Sequence, residues 1–159
     1  MHADILILGK ALSGGMYPVS AILADDEIMM NIKPGQHGST YGGNPLAAKL
    51  AITALQILQD EKLAENSERL GKILRDELRK IKSPLLRTVR GKGLLNAIEI
   101  NETNGVDAWK VCIKLAENGL LAKPTQQDKI RFAPPLLITE SQILDCVSII
   151  KKALESFSS

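Results

Sequence analysis

Two cysteines in 159 residues are too few for a disulfide framework. Both, Cys112 and Cys146, sit in apolar helical sequence, so buried thiols in a reducing compartment are expected. No charge of one sign dominates either: 20 basic residues stand against 18 acidic ones, a formal net charge of +2. The two signs alternate along runs such as EKLAENSERLGKILRDELRK, the pattern of a solvated helix face, which argues against a nucleic-acid footprint. No apolar run approaches the roughly 20 residues needed to span a bilayer. The opening DILIL is too short for a signal peptide and runs straight into Gly-Lys. Repeats and low-complexity tracts are absent as well. What is present, 45% hydrophobic and 24% charged residues, is the composition of a soluble globular protein with room for a proper core.

Residues 4–8 form a short apolar run closed by Gly9, which reads as a strand buried on both faces of a parallel sheet. Residues 11–44 are rich in Gly, Pro and Ser; within them 17–23 could be another strand and 25–30 a single helical turn. At Asn44-Pro45 a helix begins, because Asn caps well and Pro suits a first position whose N–H has no partner anyway. Leu46, Leu50, Ala54 and Leu58 mark its apolar face. A second helix runs from about Ala64, with Leu70, Leu74, Leu78 and Ile81 on one side, and stops at Ser83-Pro84. Strands are expected over 85–89 and 94–100 around the Gly91–Gly93 turn, and again over 120–123 and 130–133. Between them Trp109, Cys112, Ile113 and Ala116 mark a helix stopped by Gly119. Thr139 to Gln142 fits a capping box, followed by a last helix burying Ile143, Val147, Ile150, Leu154 and Phe157. The division expected is a piece of a larger α/β unit over residues 1–60 and a compact α+β domain over 61–159.

Three constellations carry chemistry. Lys10 follows the first strand at its C-terminal end, where parallel α/β folds bind ligands. A lysine amine has an ordinary pKa of about 10.4, and desolvation in a site makes it a better nucleophile. Ala11, Ser13, Gly14 and Gly15 would let a flat cofactor approach; a lysine simply snorkelling from a strand end is the plainer alternative. A phosphate loop of the Walker type fails, since Ala11 replaces the metal-binding Ser/Thr and no glycine stands five residues before Gly9. The second constellation is HGSTYGGNP, residues 37–45. Ser39 and Thr40, several glycines and a following helix N-terminus make an anion site, best a phosphate, or else an ordinary capped loop. His37 lacks a partner at metal-ligand spacing and His2 is distant, so no metal is expected. The third is Arg131 in KIRFAPP: alternation sets it on the face opposite Ile130 and Phe132, where it could clamp a carboxylate bidentately or lie in solvent.

ILILGKALSGGMYPVSAILADDEIM, HGSTYGGNPLA, VRGKGLLNAIEI, NGLLAKPT and IRFAPPLLIT together resemble the C-terminal part of class III pyridoxal-phosphate aminotransferases, in the family's order. LLAKPT and HGSTYGGNP point within the family to the ornithine type over the acetylornithine and 4-aminobutyrate types. The resemblance implies an aspartate-aminotransferase-like (fold-type I) α/β protein, here the end of its large cofactor domain plus its C-terminal α+β small domain. It implies pyridoxal 5'-phosphate as cofactor, with Lys10 holding it covalently and moving a proton between substrate carbon and cofactor. Ser39 and Thr40 would bind the cofactor phosphate across a homodimer interface, and Arg131 the α-carboxylate of glutamate or 2-oxoglutarate. The reaction implied moves ornithine's δ-amino group to 2-oxoglutarate. A mitochondrial matrix location is implied by the resemblance alone.

Family members are longer. The acid that pairs with the pyridine nitrogen, the aromatic that stacks on the ring and a second substrate arginine lie upstream in the family; Asp4 is not at the acid's position. Two readings follow: a part of an active transaminase, or a non-catalytic chain acting only by dimerising. The isolated chain is expected to be inactive and to expose the apolar strand at 5–8.

Overall fold

The computed structural model describes residues 3–157 and divides into two compact units, Met1–Lys62 and Leu63–Ser159. His2 lies outside the described residues.

In the first unit, β1 (Ile5–Leu8) pairs antiparallel with β2 (Ala21–Ala24), Ile5 opposite Ala24 and Leu8 opposite Ala21. This corrects the expectation of a buried strand in a parallel sheet. Ile7 is 74% exposed and Ile22 58%, because a two-stranded ribbon leaves both faces open. The second strand is also shorter than expected, and Tyr17–Ser20 lies outside it. A 3-10 turn over Lys10–Ser13 follows β1, and α1 (Asp26–Met29) follows β2. Helix α2 (Pro45–Asp60) starts where Asn44 caps it: Asn44 Oδ1 accepts from the Ala47 N–H at 2.9 Å, and Pro45 takes the first position. Ala47 is buried, while Leu46 and Ile52 remain exposed.

The second unit packs α3 (Leu63–Lys80), α4 (Ala108–Glu117) and α5 (Glu140–Glu155) with an antiparallel sheet. Its strands are β3 (Leu86–Lys92), β4 (Leu95–Ile100), β5 (Lys123–Thr125) and β6 (Lys129–Phe132), in the order β3-β4-β6-β5. Period-3.6 spacing puts Leu70, Leu74 and Leu78 on one face of α3, Val111 and Leu115 on α4, and Ile143, Ile150 and Leu154 on α5. Period-2 spacing adds Ile98 and Ile100 from β4 and Ile130 and Phe132 from β6. The predicted capping box forms: the Gln142 N–H donates to Thr139 Oγ1, and the Thr139 N–H donates to Gln142 Oε1 at 2.9 Å. The strand expected over 120–123 instead starts at Lys123, since that residue is the first to pair with β6, opposite Arg131.

One contact sets how closely α3 meets the sheet. A Cβ on Gly71 of α3 would lie 1.7 Å from the carbonyl oxygen of Gly93, at the tip of the β3–β4 hairpin. That tip is tied down. Arg75 Nη1 donates to Gly93 O at 2.9 Å and to Asn96 Oδ1 at 2.8 Å, while Asn96 Nδ2 donates to Gly93 O at 3.0 Å. The Leu94 N–H donates to Ser67 Oγ at 2.9 Å. Arg75 and Asn96 are both buried, and among the described residues no fully buried side-chain polar atom lacks a hydrogen-bond partner.

No helix among the described residues is long and apolar enough to cross a membrane.

Candidate active site

Lys10 sits at the junction of β1 and the 3-10 turn with a left-handed backbone, φ 55°, a region that costs an ordinary L-residue about 1–2 kcal/mol. The turn around it is held by backbone bonds, from the Leu12 N–H to Gly9 O at 3.2 Å and from the Gly14 N–H to Ala11 O at 2.9 Å. Ser13, buried, accepts from the Tyr17 N–H at 3.0 Å and donates back to Tyr17 O, closing residues 13–17 into a fixed loop. Gly14 and Gly15 follow with φ of 66° and 86°, values that favour glycine. Lys10 itself is exposed, and its amine has no hydrogen-bond or ion-pair partner among the described residues. A lysine amine without such a partner is one that a carbonyl group can reach.

Ser39 and Thr40 lie in the exposed loop before α2. Ser39 Oγ accepts from the Gly42 N–H at 3.0 Å, so its own proton remains available to donate, and the Thr40 hydroxyl has no partner among the described residues. Ser39, Tyr41 and Asn44 line a cavity of about 410 Å³ together with Tyr17 and Ser20; neither Lys10 nor Thr40 lines it. Asn44 spends its side chain on the cap, with Nδ2 donating to Tyr41 O at 2.7 Å. The hydroxyl donors fit a phosphate, and the cavity that Ser39 lines does not reach Lys10.

Arg131 belongs to the other unit. It stands on β6 between Ala97 of β4 and Lys123 of β5, on the sheet face opposite buried Ile130 and Phe132. It lines a cleft of about 510 Å³ with Arg90, Lys92, Ala97, Thr125 and Lys129. Among the described residues its guanidinium makes no hydrogen bond and no ion pair, whereas Arg90, Lys92 and Lys129 each hold a carboxylate. Sequence reasoning singled out Arg131 and missed this surrounding arrangement, whose members only cross-strand register brings together.

No group of three or more His, Cys, Asp or Glu side chains able to hold a metal ion occurs among the described residues. Burial pushes the Cys112 thiol up to about 11, with Asp107 adding to the shift, and burial also raises Cys146. Two units above the ordinary 9.0 lower the thiolate fraction at neutral pH roughly 100-fold. Cys112 is therefore expected to react with a disulfide reagent at pH 7 at least about 100-fold more slowly than a free cysteine, and at the ordinary rate once urea unfolds the chain. Rapid labelling of Cys112 in the folded chain would contradict its burial.

The family model described as "Aminotransferase class-III" matches residues 1–154. The chain belongs to the class III aminotransferases. These enzymes are dependent on pyridoxal phosphate. The mitochondrial ornithine aminotransferase of Rattus norvegicus is 62% identical over 157 residues, 99% of this chain and 36% of the relative. That of Drosophila melanogaster is 61% identical over 156 residues, 98% of this chain and 36% of the relative. Among solved structures, an acetylornithine aminotransferase from Elizabethkingia anophelis superposes with a TM-score of 0.93 at 61% identity, covering 99% of this chain and 42% of that one. An ornithine aminotransferase from Toxoplasma gondii, crystallized with oxidized glutathione and described as having PLP at partial occupancy in its active site, gives 0.92 at 47% identity, over 98% and 37%. The α/β fold of the class III aminotransferases is thus shared, and the chain spans about 36% of the length of these curated relatives.

Proposed function

We propose that this chain is the part of an ornithine δ-aminotransferase that carries the cofactor lysine and the carboxylate arginine. Residues 1–60 are the end of the large cofactor domain and residues 61–159 the C-terminal small domain. The observation that carries the reading is Lys10, whose unpartnered amine is held by a strained turn at a strand end, in a chain 62% identical to a relative named for that activity. Pyridoxal phosphate, when bound, supplies the electron sink that makes the substrate's C–H acidic. Lys10 binds it covalently, then carries a proton to and from the reacting carbon. Ser39 and Thr40 donate hydrogen bonds to its phosphate. That Lys10 does not line the cavity beside this loop favours a loop delivered to the site of a second subunit, hence a homodimer. Arg131 holds the α-carboxylate of glutamate or 2-oxoglutarate through its guanidinium fork. The overall transfer takes the δ-amino group of L-ornithine to 2-oxoglutarate, giving glutamate and glutamate 5-semialdehyde. The names of the relatives support a mitochondrial location.

A second reading has a specific support: a solved relative named acetylornithine aminotransferase is 61% identical. N-acetylornithine and ornithine offered in competition to the complete enzyme separate the two. For the 159-residue chain alone, adding pyridoxal phosphate is expected to produce a visible absorbance band that Lys10→Ala abolishes, with no semialdehyde formed from ornithine and 2-oxoglutarate. A band of equal size in Lys10→Ala sinks the assignment of Lys10; semialdehyde formed by the purified chain sinks the inactivity.

A further inference from the structure

The face of the four-stranded sheet opposite Ile98 and Ile130 is a charge pattern that register builds. Arg90 pairs with Ala97, Ala97 with Arg131, and Arg131 with Lys123, so one row across all four strands reads Arg, Ala, Arg, Lys. The next row on the same face reads Thr88, Glu99, Lys129, Thr125. Three cations in one row, with the small Ala97 between two of them, would make a broad anion-binding surface if all were open.

They are not all open. Glu99, with a side chain only 16% exposed, takes Arg90 Nε on one oxygen at 2.9 Å and Arg87 Nη2 on the other at 2.9 Å. Arg87 stands at an irregularity between Leu86 and Thr88 in the β3–β4 pairing, and also donates to Asp128 Oδ2 at 2.6 Å. Asp128 holds Lys129 with its other oxygen. Two carboxylates thus engage three cations, and both have their pKa lowered for that reason: Glu99 through Arg90 and then Arg87, Asp128 through Lys129 and then Arg87. Arg131 and Lys123 are the cations of this face with no carboxylate partner among the described residues.

We infer that Glu99, supported by Asp128, is a specificity-determining residue: it occupies Arg87 and Arg90, leaving Arg131 as the single open guanidinium of the cleft. The inference rests on the reading of Arg131 as the carboxylate seat. A substrate carboxylate then finds one open guanidinium fork, with only the Lys123 ammonium beside it, and a dicarboxylate cannot lie reversed or flat across Arg90 and Arg131. Selectivity of this kind comes from withholding alternative partners as much as from supplying the right one. An exposed ion pair contributes little to stability, yet it still decides which donors an incoming anion finds free.

The test uses the 159-residue chain with its arginine side-chain N–H groups observed by NMR at low ionic strength, where screening is weakest. The probes are 2-oxoglutarate and acetate. In the unaltered chain 2-oxoglutarate is expected to shift the Arg131 signal and leave Arg87 and Arg90 in place. Glu99→Gln, close in shape, is expected to make the Arg90 signal respond as well and to tighten 2-oxoglutarate roughly three- to tenfold, with acetate changed less than about twofold. Glu99→Ala, which removes both acceptors, is expected to do the same, and guards against glutamine retaining the arginines by hydrogen bonding. If Arg131 responds but neither variant changes the ratio of the two affinities, Glu99 is not the sorting residue and this inference alone fails. If Arg131→Lys leaves binding of both anions unchanged, the carboxylate seat itself is wrong and the inference falls with it.

Discussion

Gly71→Ala is expected to destabilise the unit Leu63–Ser159 by about 1.5–5 kcal/mol, a large share of the roughly 5–15 kcal/mol that holds a domain of that size folded. Two opposing effects meet at this position. Alanine is the better helix former, by about 1 kcal/mol in a helix interior, so the local preference of α3 favours the substitution. The added methyl, however, would stand 1.7 Å from the Gly93 carbonyl oxygen and 2.2 Å from its carbon, both backbone atoms. Overpacking of this kind costs about 1–3 kcal/mol when neighbours can adjust. Here they are tied, because Gly93 O accepts from both Arg75 and Asn96. Moving the hairpin tip away strips acceptors from a buried guanidinium, a further loss of about 1.5–3 kcal/mol. The sum exceeds the helix gain. With a urea dependence of about 1–3 kcal/mol per molar, the unfolding midpoint should fall by roughly 0.5 M or more. A midpoint that stays or rises would mean that α3 and the hairpin are not packed this closely.

That contact shows where sequence reading ends. A glycine inside an amphipathic helix is a signal, since it costs stability unless something needs the space, but the sequence does not say what that something is. The chain ends of helices were more legible. Asn44-Pro45 and Thr139 to Gln142 name their own caps, because a cap is a contact between residues three apart, and both form as expected. The core faces of α3 and α5 were legible for the same reason: periodicity is local. Strand partners are not local. Residues 5–8 announced pairing capacity without announcing the partner, which is β2 in an antiparallel ribbon rather than a neighbour in a buried parallel sheet. Leu120 and Leu121 looked like strand residues by composition, yet Leu121 is 87% exposed and pairing begins only at Lys123.

The candidate site divides along the same line. Lys10, Ser39, Thr40 and Arg131 were found by residue type within short motifs. The buried Ser13 that fastens the loop after Lys10 could have been suspected from its place among glycines, but its two bonds to Tyr17 depend on the turn actually formed. Glu99 carried no signal at all. Its importance comes from lying beside Arg87, Arg90 and Lys129 after β3, β4 and β6 have taken register.

Lys10 offers the sharpest separation of stability from function. Its left-handed backbone costs an L-residue about 1–2 kcal/mol, and glycine escapes that cost while losing about 0.5–1 kcal/mol to its freer unfolded chain. Lys10→Gly is therefore expected to tighten the 3-10 turn by about 0.5–1 kcal/mol, and Lys10→Ala to leave it unchanged. Amide exchange reads this directly: the Leu12 and Gly14 N–H groups, which close the turn, should exchange about two- to fivefold more slowly in the glycine variant. Function should move the other way. On the proposed role of Lys10 both variants lack the amine that would bind the cofactor and carry the proton, so the complete enzyme containing either should lose roughly 10⁴-fold or more in turnover, proton transfer alone accounting for about 10²–10⁴. An added primary amine should restore part of the activity, because the missing group is a base rather than a packing element. A glycine variant with slower exchange and no activity fits a strained residue retained for its chemistry. If turnover survives in either variant, Lys10 is only a strand-end lysine; if exchange quickens in Lys10→Gly, the lysine stabilises its own turn and the strain argument fails.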